Sequence, residues 1–76
     1  MTKLPVVSGR RLVRALAKVG FEHDRTKGSH MVLREVAPPY RRLVVPDHRE
    51  IAKGTLRAIL RQAGLDREDL VRLLDD

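Results

Sequence analysis

The apolar residues of this 76-residue chain change their period twice, and that order leaves few folds open. Leu12, Ala15, Leu16 and Val19 recur at helical spacing and predict one buried stripe. Met31 and Leu33 then alternate with His30, Val32 and Arg34, the period of a strand with one buried face. Leu56, Ile59, Leu60 and Ala63 return to helical spacing. The punctuation agrees with this order. Ser8 is placed to cap the first helix, Val7 and Leu12 have the spacing of a hydrophobic staple, and Gly20 ends the helix. Strands are predicted at residues 21–25, 30–35 and 41–45. Thr26-Lys27-Gly28-Ser29 forms the first hairpin tip, and Ala37-Pro38-Pro39-Tyr40 the second connection, where two prolines stop the ladder. After a polar loop over residues 46–53, Gly54-Thr55 opens a helix that Gly64 closes. Asp66 caps a last short helix, with Asp69 in its third position and Leu65 and Leu70 at staple spacing. The expectation is an α+β fold of one domain, residues 1–76: helix, three-stranded antiparallel sheet, helix and a short extra C-terminal helix. The helices cover one sheet face and leave the other wet.

Several function classes fall away on composition. The chain has no cysteine, so disulfides, thiolate metal sites and a cysteine nucleophile are excluded. No apolar run approaches the ~20 residues needed to cross a bilayer, and residues 1–8 lack the apolar stretch of a signal peptide. A cytoplasmic location is expected, with no membrane partner. Residues 1–65 carry 14 basic and 5 acidic side chains, whereas residues 66–76 carry 2 and 5. The body of the chain therefore attracts polyanions, nucleic acid foremost.

Chemistry rests on the histidines. An imidazole takes and gives protons near neutral pH, which is what RNA cleavage through the 2′-hydroxyl requires, with cations stabilising the transition state. His30 follows a glycine-containing tip, with Lys27 three residues before it and Ser29 and the amides around Gly28 beside it, where a phosphate would sit. An ordinary exposed strand histidine is the plain alternative. His48, between Asp47 and Arg49, is a secondary candidate, and His23, between Glu22 and Asp24, reads as structural or surface. The histidines are too scattered for a metal site, and there is no Walker-type loop or other sign of a small-molecule cofactor. With one Phe and one Tyr, a base-stacking sheet of the RRM kind is not expected. Arg10, Arg14 and Lys18 lie one turn apart on the first helix, as do Arg57 and Arg61 on the second. These rows track phosphates, dock an acidic protein, or simply meet solvent.

Taken in order, the segments Ser8-Gly9-Arg10-Arg11-Leu12-Val13-Arg14-Ala15-Leu16, Gly20-Phe21, Arg25-Thr26-Lys27-Gly28-Ser29-His30, Val44-Val45-Pro46 with His48, and residues 53–65 resemble the HicA family of toxins, over about residues 6–74. The resemblance implies the fold of double-stranded-RNA-binding domains and the activity of a metal-independent mRNA interferase in a type II toxin–antitoxin system. It also implies a catalytic role for His30 in a Gly28-Ser29-His30 motif and a HicB antitoxin that covers it. Two departures stand out. Many relatives carry a second histidine after this motif, where this chain has Met31, and the turn before the third strand is Ala-Pro-Pro-Tyr rather than glycine-containing. A non-catalytic RNA-binding module of the same fold and a protein-docking domain are the alternatives.

Overall fold

Ser8 begins the ordered architecture. Its hydroxyl accepts a hydrogen bond from the Arg11 amide at 3.1 Å and satisfies one of the free donors of the first turn of α1, Gly9–Ala17. The computed structural model describes residues 3–75; Met1 and Thr2 of the N-terminal segment, and Asp76 at the far end of the expected 1–76 domain, lie outside the described residues. After α1 come β1 (Phe21–Lys27), β2 (His30–Glu35), β3 (Arg42–Pro46), α2 (Lys53–Ala63) and α3 (Arg67–Leu74). The strands form one antiparallel sheet in the order β1-β2-β3, and the fold is α+β, the arrangement of a double-stranded-RNA-binding domain. Among the described residues no helix is long and apolar enough to cross a membrane.

The alternation expected for β2 holds. Met31, Leu33 and Glu35 are buried towards the helices, and His30, Val32 and Arg34 lie on the other face. Leu43 and Val45 extend the buried face onto β3. Against it pack Leu12, Ala15 and Leu16 of α1 and Leu56, Ile59, Leu60 and Ala63 of α2, while Leu70 closes the core from α3. Val7 is buried too, as the staple with Leu12 requires. At α3, Asp66 and Asp69 form a reciprocal capping box.

Four boundaries depart from expectation. Val19 is not part of the buried stripe. α1 ends at Ala17, and Lys18, Val19 and Gly20 donate to carbonyls three residues back, a tightening that turns Val19 out to 37 % exposure. β1 runs two residues further than predicted, so the first turn consists of Gly28 and Ser29 alone between the paired residues Lys27 and His30. β3 is shifted by one residue, and α2 starts at Lys53, with Ala52 in a cap position that supplies no side-chain bond. Finally, β1 contains a bulge. His23 pairs with Leu33 and Arg25 with Val32, which leaves Asp24 unmatched.

One polar pair is built into the core side. Glu35 accepts bonds from the Arg41 amide (3.1 Å), from Arg41 Nε (3.0 Å) and from Arg41 Nη2 (2.8 Å). Arg41 also donates to the Gln62 carbonyl near the end of α2 and lies over the Phe21 ring, 5.5 Å from its centroid. The side-chain bonds from Arg41 outweigh burial and hold the Glu35 carboxyl below its ordinary value. A carboxylate depressed in the folded state contributes stability above its unfolded value, and that contribution disappears as pH falls through the folded one. Glu35→Gln is therefore expected to lower the melting temperature at neutral pH and to reduce its fall on acidification, measured by thermal denaturation across the acid range. A variant with the full acid sensitivity of the parent would contradict this role.

Candidate active site

The tip that carries His30 is a two-residue turn. Gly28 has φ +62°, in the left-handed region that glycine occupies at no steric cost, and Ser29 does not, the pattern of a tight hairpin turn with glycine first. This pairing sets Lys27 directly across from His30. Both are exposed on the sheet face that the helices leave uncovered. On its other side His30 pairs with Pro46, the last residue of β3, so that strand delivers the next loop to the same end of the sheet.

Backbone bonds fix that loop. The Asp47 amide donates to the Ser29 carbonyl at 2.7 Å, and the Gly9 amide donates to the His48 carbonyl at 2.9 Å. The hairpin tip, residues 47–49 and the start of α1 are thereby tied together. A hollow of about 310 Å³ lies among Ser8, Arg10, Asp47, His48 and Arg49. Asp47 does not serve His48 as a relay. Its carboxylate accepts from Arg10 Nε at 3.2 Å and Nη2 at 3.4 Å. Among the described residues neither the His30 ring nor the His48 ring has a hydrogen-bond partner. His23 stands elsewhere on β1, its Nε2 at 2.7 Å from Thr26 Oγ1, consistent with a structural role.

Of the sequence-predicted site, the fold gathers Lys27, Gly28, Ser29 and His30 at one end, with His48 and Arg10 on the adjoining loop and helix start. It does not gather the helix rows there. Lys18 lies at the far end of α1, its Nζ donating to the Leu73 carbonyl at 2.6 Å, and Arg11 reaches the Leu74 carbonyl at 3.4 Å. Both cations thus meet the negative end of α3. Arg14 is exposed along the same helix, and Arg57 and Arg61 are exposed on α2. The position of the absent second histidine is resolved as well: Met31 is 7 % exposed and faces the helices, not the face that bears His30.

Of the cations on the uncovered face, sequence reasoning placed only Lys27 at the site. In register across the sheet run Glu22–Arg34–Arg42, then Arg25–Val32–Val44, then Lys27–His30–Pro46. Arg34 was legible from β2 alternation. Arg25 was not, because strict alternation from Phe21 assigns it to the buried face and only the bulge turns it outward; the same bulge sets the side of Lys27, which was expected in the turn.

Taken together, an exposed imidazole, a lysine across the ladder and nearby backbone amides and guanidinium can accept a phosphate and move a proton beside it. No curated protein matches the chain. The family model of the HicA toxin of bacterial toxin–antitoxin systems does, over residues 9–65, somewhat inside the 6–74 span of the resemblance. That match takes in α1, the whole sheet, the His30 tip and α2. The chain belongs to the HicA toxin family.

Proposed function

We propose that this chain is a ribonuclease toxin of a type II toxin–antitoxin system, cleaving mRNA without a metal ion and so arresting translation. The observation that carries the reading is the placement of His30, solvent-exposed and paired across the hairpin with Lys27. In the reaction a base removes the 2′-hydroxyl proton, that oxygen bonds to the adjacent phosphorus, the bond to the 5′-oxygen breaks, and an acid protonates the departing oxygen. His30 performs one of the two proton transfers, and His48 is the second candidate ring. Lys27 stabilises charge on the phosphoryl oxygens, helped by Ser29 and the amides around Gly28. Arg10, Arg14, Lys18, Arg57 and Arg61 add the positive field that draws RNA to the domain. A HicB-type antitoxin covers His30 in the neutralised complex.

The test is incubation of purified protein with end-labelled mRNA, with and without EDTA. Cleavage that resists the chelator and leaves 5′-hydroxyl ends is the expected result. RNA retention without cleavage would instead support the second reading, a non-catalytic RNA-binding module of the same fold.

A further inference from the structure

We propose that the uncovered face of the sheet is the seat of the RNA strand, holding it single-stranded from the His30 tip to Tyr40; this rests on the ribonuclease reading above. The face is cationic by construction. Arg25, Lys27, Arg34 and Arg42 all occupy its register rows, and Glu22 is the one acidic residue in them. Among the described residues no carboxylate pairs with any of these four cations. Two are there only because of the bulge at Asp24, which turns Arg25 and Lys27 to the side that His30 faces.

The far end of the face differs in kind. Tyr40 is 51 % exposed, and the Arg34 guanidinium lies over its ring, 5.9 Å from the centroid. Arg34 and Tyr40 border a hollow of about 340 Å³ whose walls include Val36, Glu22 and Asp24. Besides Arg34 and His23 the lining holds the three carboxylates Glu22, Asp24 and Glu35, which disfavour a phosphate there but suit a base that stacks on the ring and donates its exocyclic amine to a carboxylate. Between this hollow and His30 lie Val32, half-buried, and Val44, exposed, flanked by the arginines. Arg34 is four positions along β2 from His30, roughly 13 Å along the strand. A base in the hollow therefore fixes the register of the nucleotide presented to His30. Such a base must be splayed out of any helix, which selects single-stranded RNA over duplex.

The helix rows are less well placed to hold the same strand. α1 and α2 pack on the opposite side of the sheet from His30, so Arg57 and Arg61 face away from the reacting ring. Lys18 is engaged with α3.

The experiment measures binding of a fluorescent single-stranded RNA, and of the same RNA annealed to its complement, to the His30→Ala protein, so that cleavage does not interfere. Folding of each variant is checked by circular dichroism. The combined Arg25→Gln, Arg34→Gln, Arg42→Gln substitution should weaken single-strand binding roughly 30- to 100-fold at ~0.15 M salt and lower the log–log salt slope by about 2, since each phosphate contact contributes ~0.7. Tyr40→Asn should weaken binding roughly 5- to 100-fold and leave the salt slope unchanged, as loss of a stacked base does. Asparagine is chosen because Tyr40 has φ +57°, which it tolerates. Arg57→Gln with Arg61→Gln, which trims the long-range field without touching the seat, should weaken binding far less than the sheet triple does. The proposal is overturned if that helix pair, not the sheet triple, carries the affinity, or if duplex binds as well as single strand. It is equally overturned if the sheet triple keeps full RNA affinity and instead loses its complex with the HicB-type antitoxin, which would make the face a protein interface. Binding on this face by a wild-type protein that never cleaves would sink the ribonuclease reading and leave the seat standing.

Discussion

His30→Ala protein is expected to fold as the parent does and to lose RNA cleavage by a factor of about 10²–10⁴, the usual worth of a positioned acid or base. The two halves of this expectation have separate physical grounds. The His30 side chain is exposed and contributes nothing to the core cluster, so its truncation belongs with surface changes of within about 0.5 kcal/mol. Its strand stays paired on both sides through backbone bonds that a substitution by alanine leaves in place. Activity has no such reserve. The residue that follows His30 is Met31, on the buried face, so no neighbouring β2 ring takes over. Labelled-mRNA cleavage beside a thermal melt checks both halves. A folded variant with undiminished cleavage would remove His30 from the mechanism and transfer attention to His48, on the loop that follows its register partner Pro46.

Much of this architecture was legible because it rests on local rules. Ser8 and Asp66 announce helix starts through their hydrogen-bonding side chains, and both cap as expected. The stripe Leu56, Ile59, Leu60, Ala63 is buried in full. The Gly28-Ser29-His30 tip was found from glycine's turn chemistry. What stayed hidden depends on pairing between distant segments. No composition rule marks Asp24 as the extra residue of a bulge; its effect appears only when β1 is laid against β2. Nor does the sequence disclose that Glu35, in a buried position of β2, meets Arg41 from the next turn, or that the loop around His48 closes onto the start of α1. The burial of Val19 was misjudged for a related reason, since a helix stripe was extended through a turn that had already tightened.

Gly9 is the sharpest instance of such non-local information, and its replacement should have the largest effect on stability. By helix rules alone Gly9→Ala would help, because glycine inside a helix costs about 0.5–1 kcal/mol relative to alanine. The packing reverses the sign. A Cβ on Gly9 would sit 2.0 Å from the Pro46 carbonyl oxygen, 3.0 Å from its carbon and 3.1 Å from Met31 Cε. Methionine can swing away, but Pro46 is backbone, held by its pairing with His30 and by the Asp47–Ser29 and Gly9–His48 bonds beside it. Relief requires α1 to lift from the end of β3. Forced overpacking of this kind costs about 1–3 kcal/mol and more when backbone must move, which in a domain of this size lowers the melting temperature by roughly 4–8 °C per kcal/mol. Gly54→Ala supplies the control. It is the same substitution in α2, with nothing within 4 Å of the added carbon, and it should stabilise by the helix-propensity amount. Because the contact also seats residues 47–49 against Arg10, Gly9→Ala should depress cleavage even below its melting temperature, whereas Gly54→Ala should not. If both variants raised the melting temperature alike, the close approach of α1 to Pro46 would be refuted, and with it the geometry that joins the His48 loop to the His30 tip.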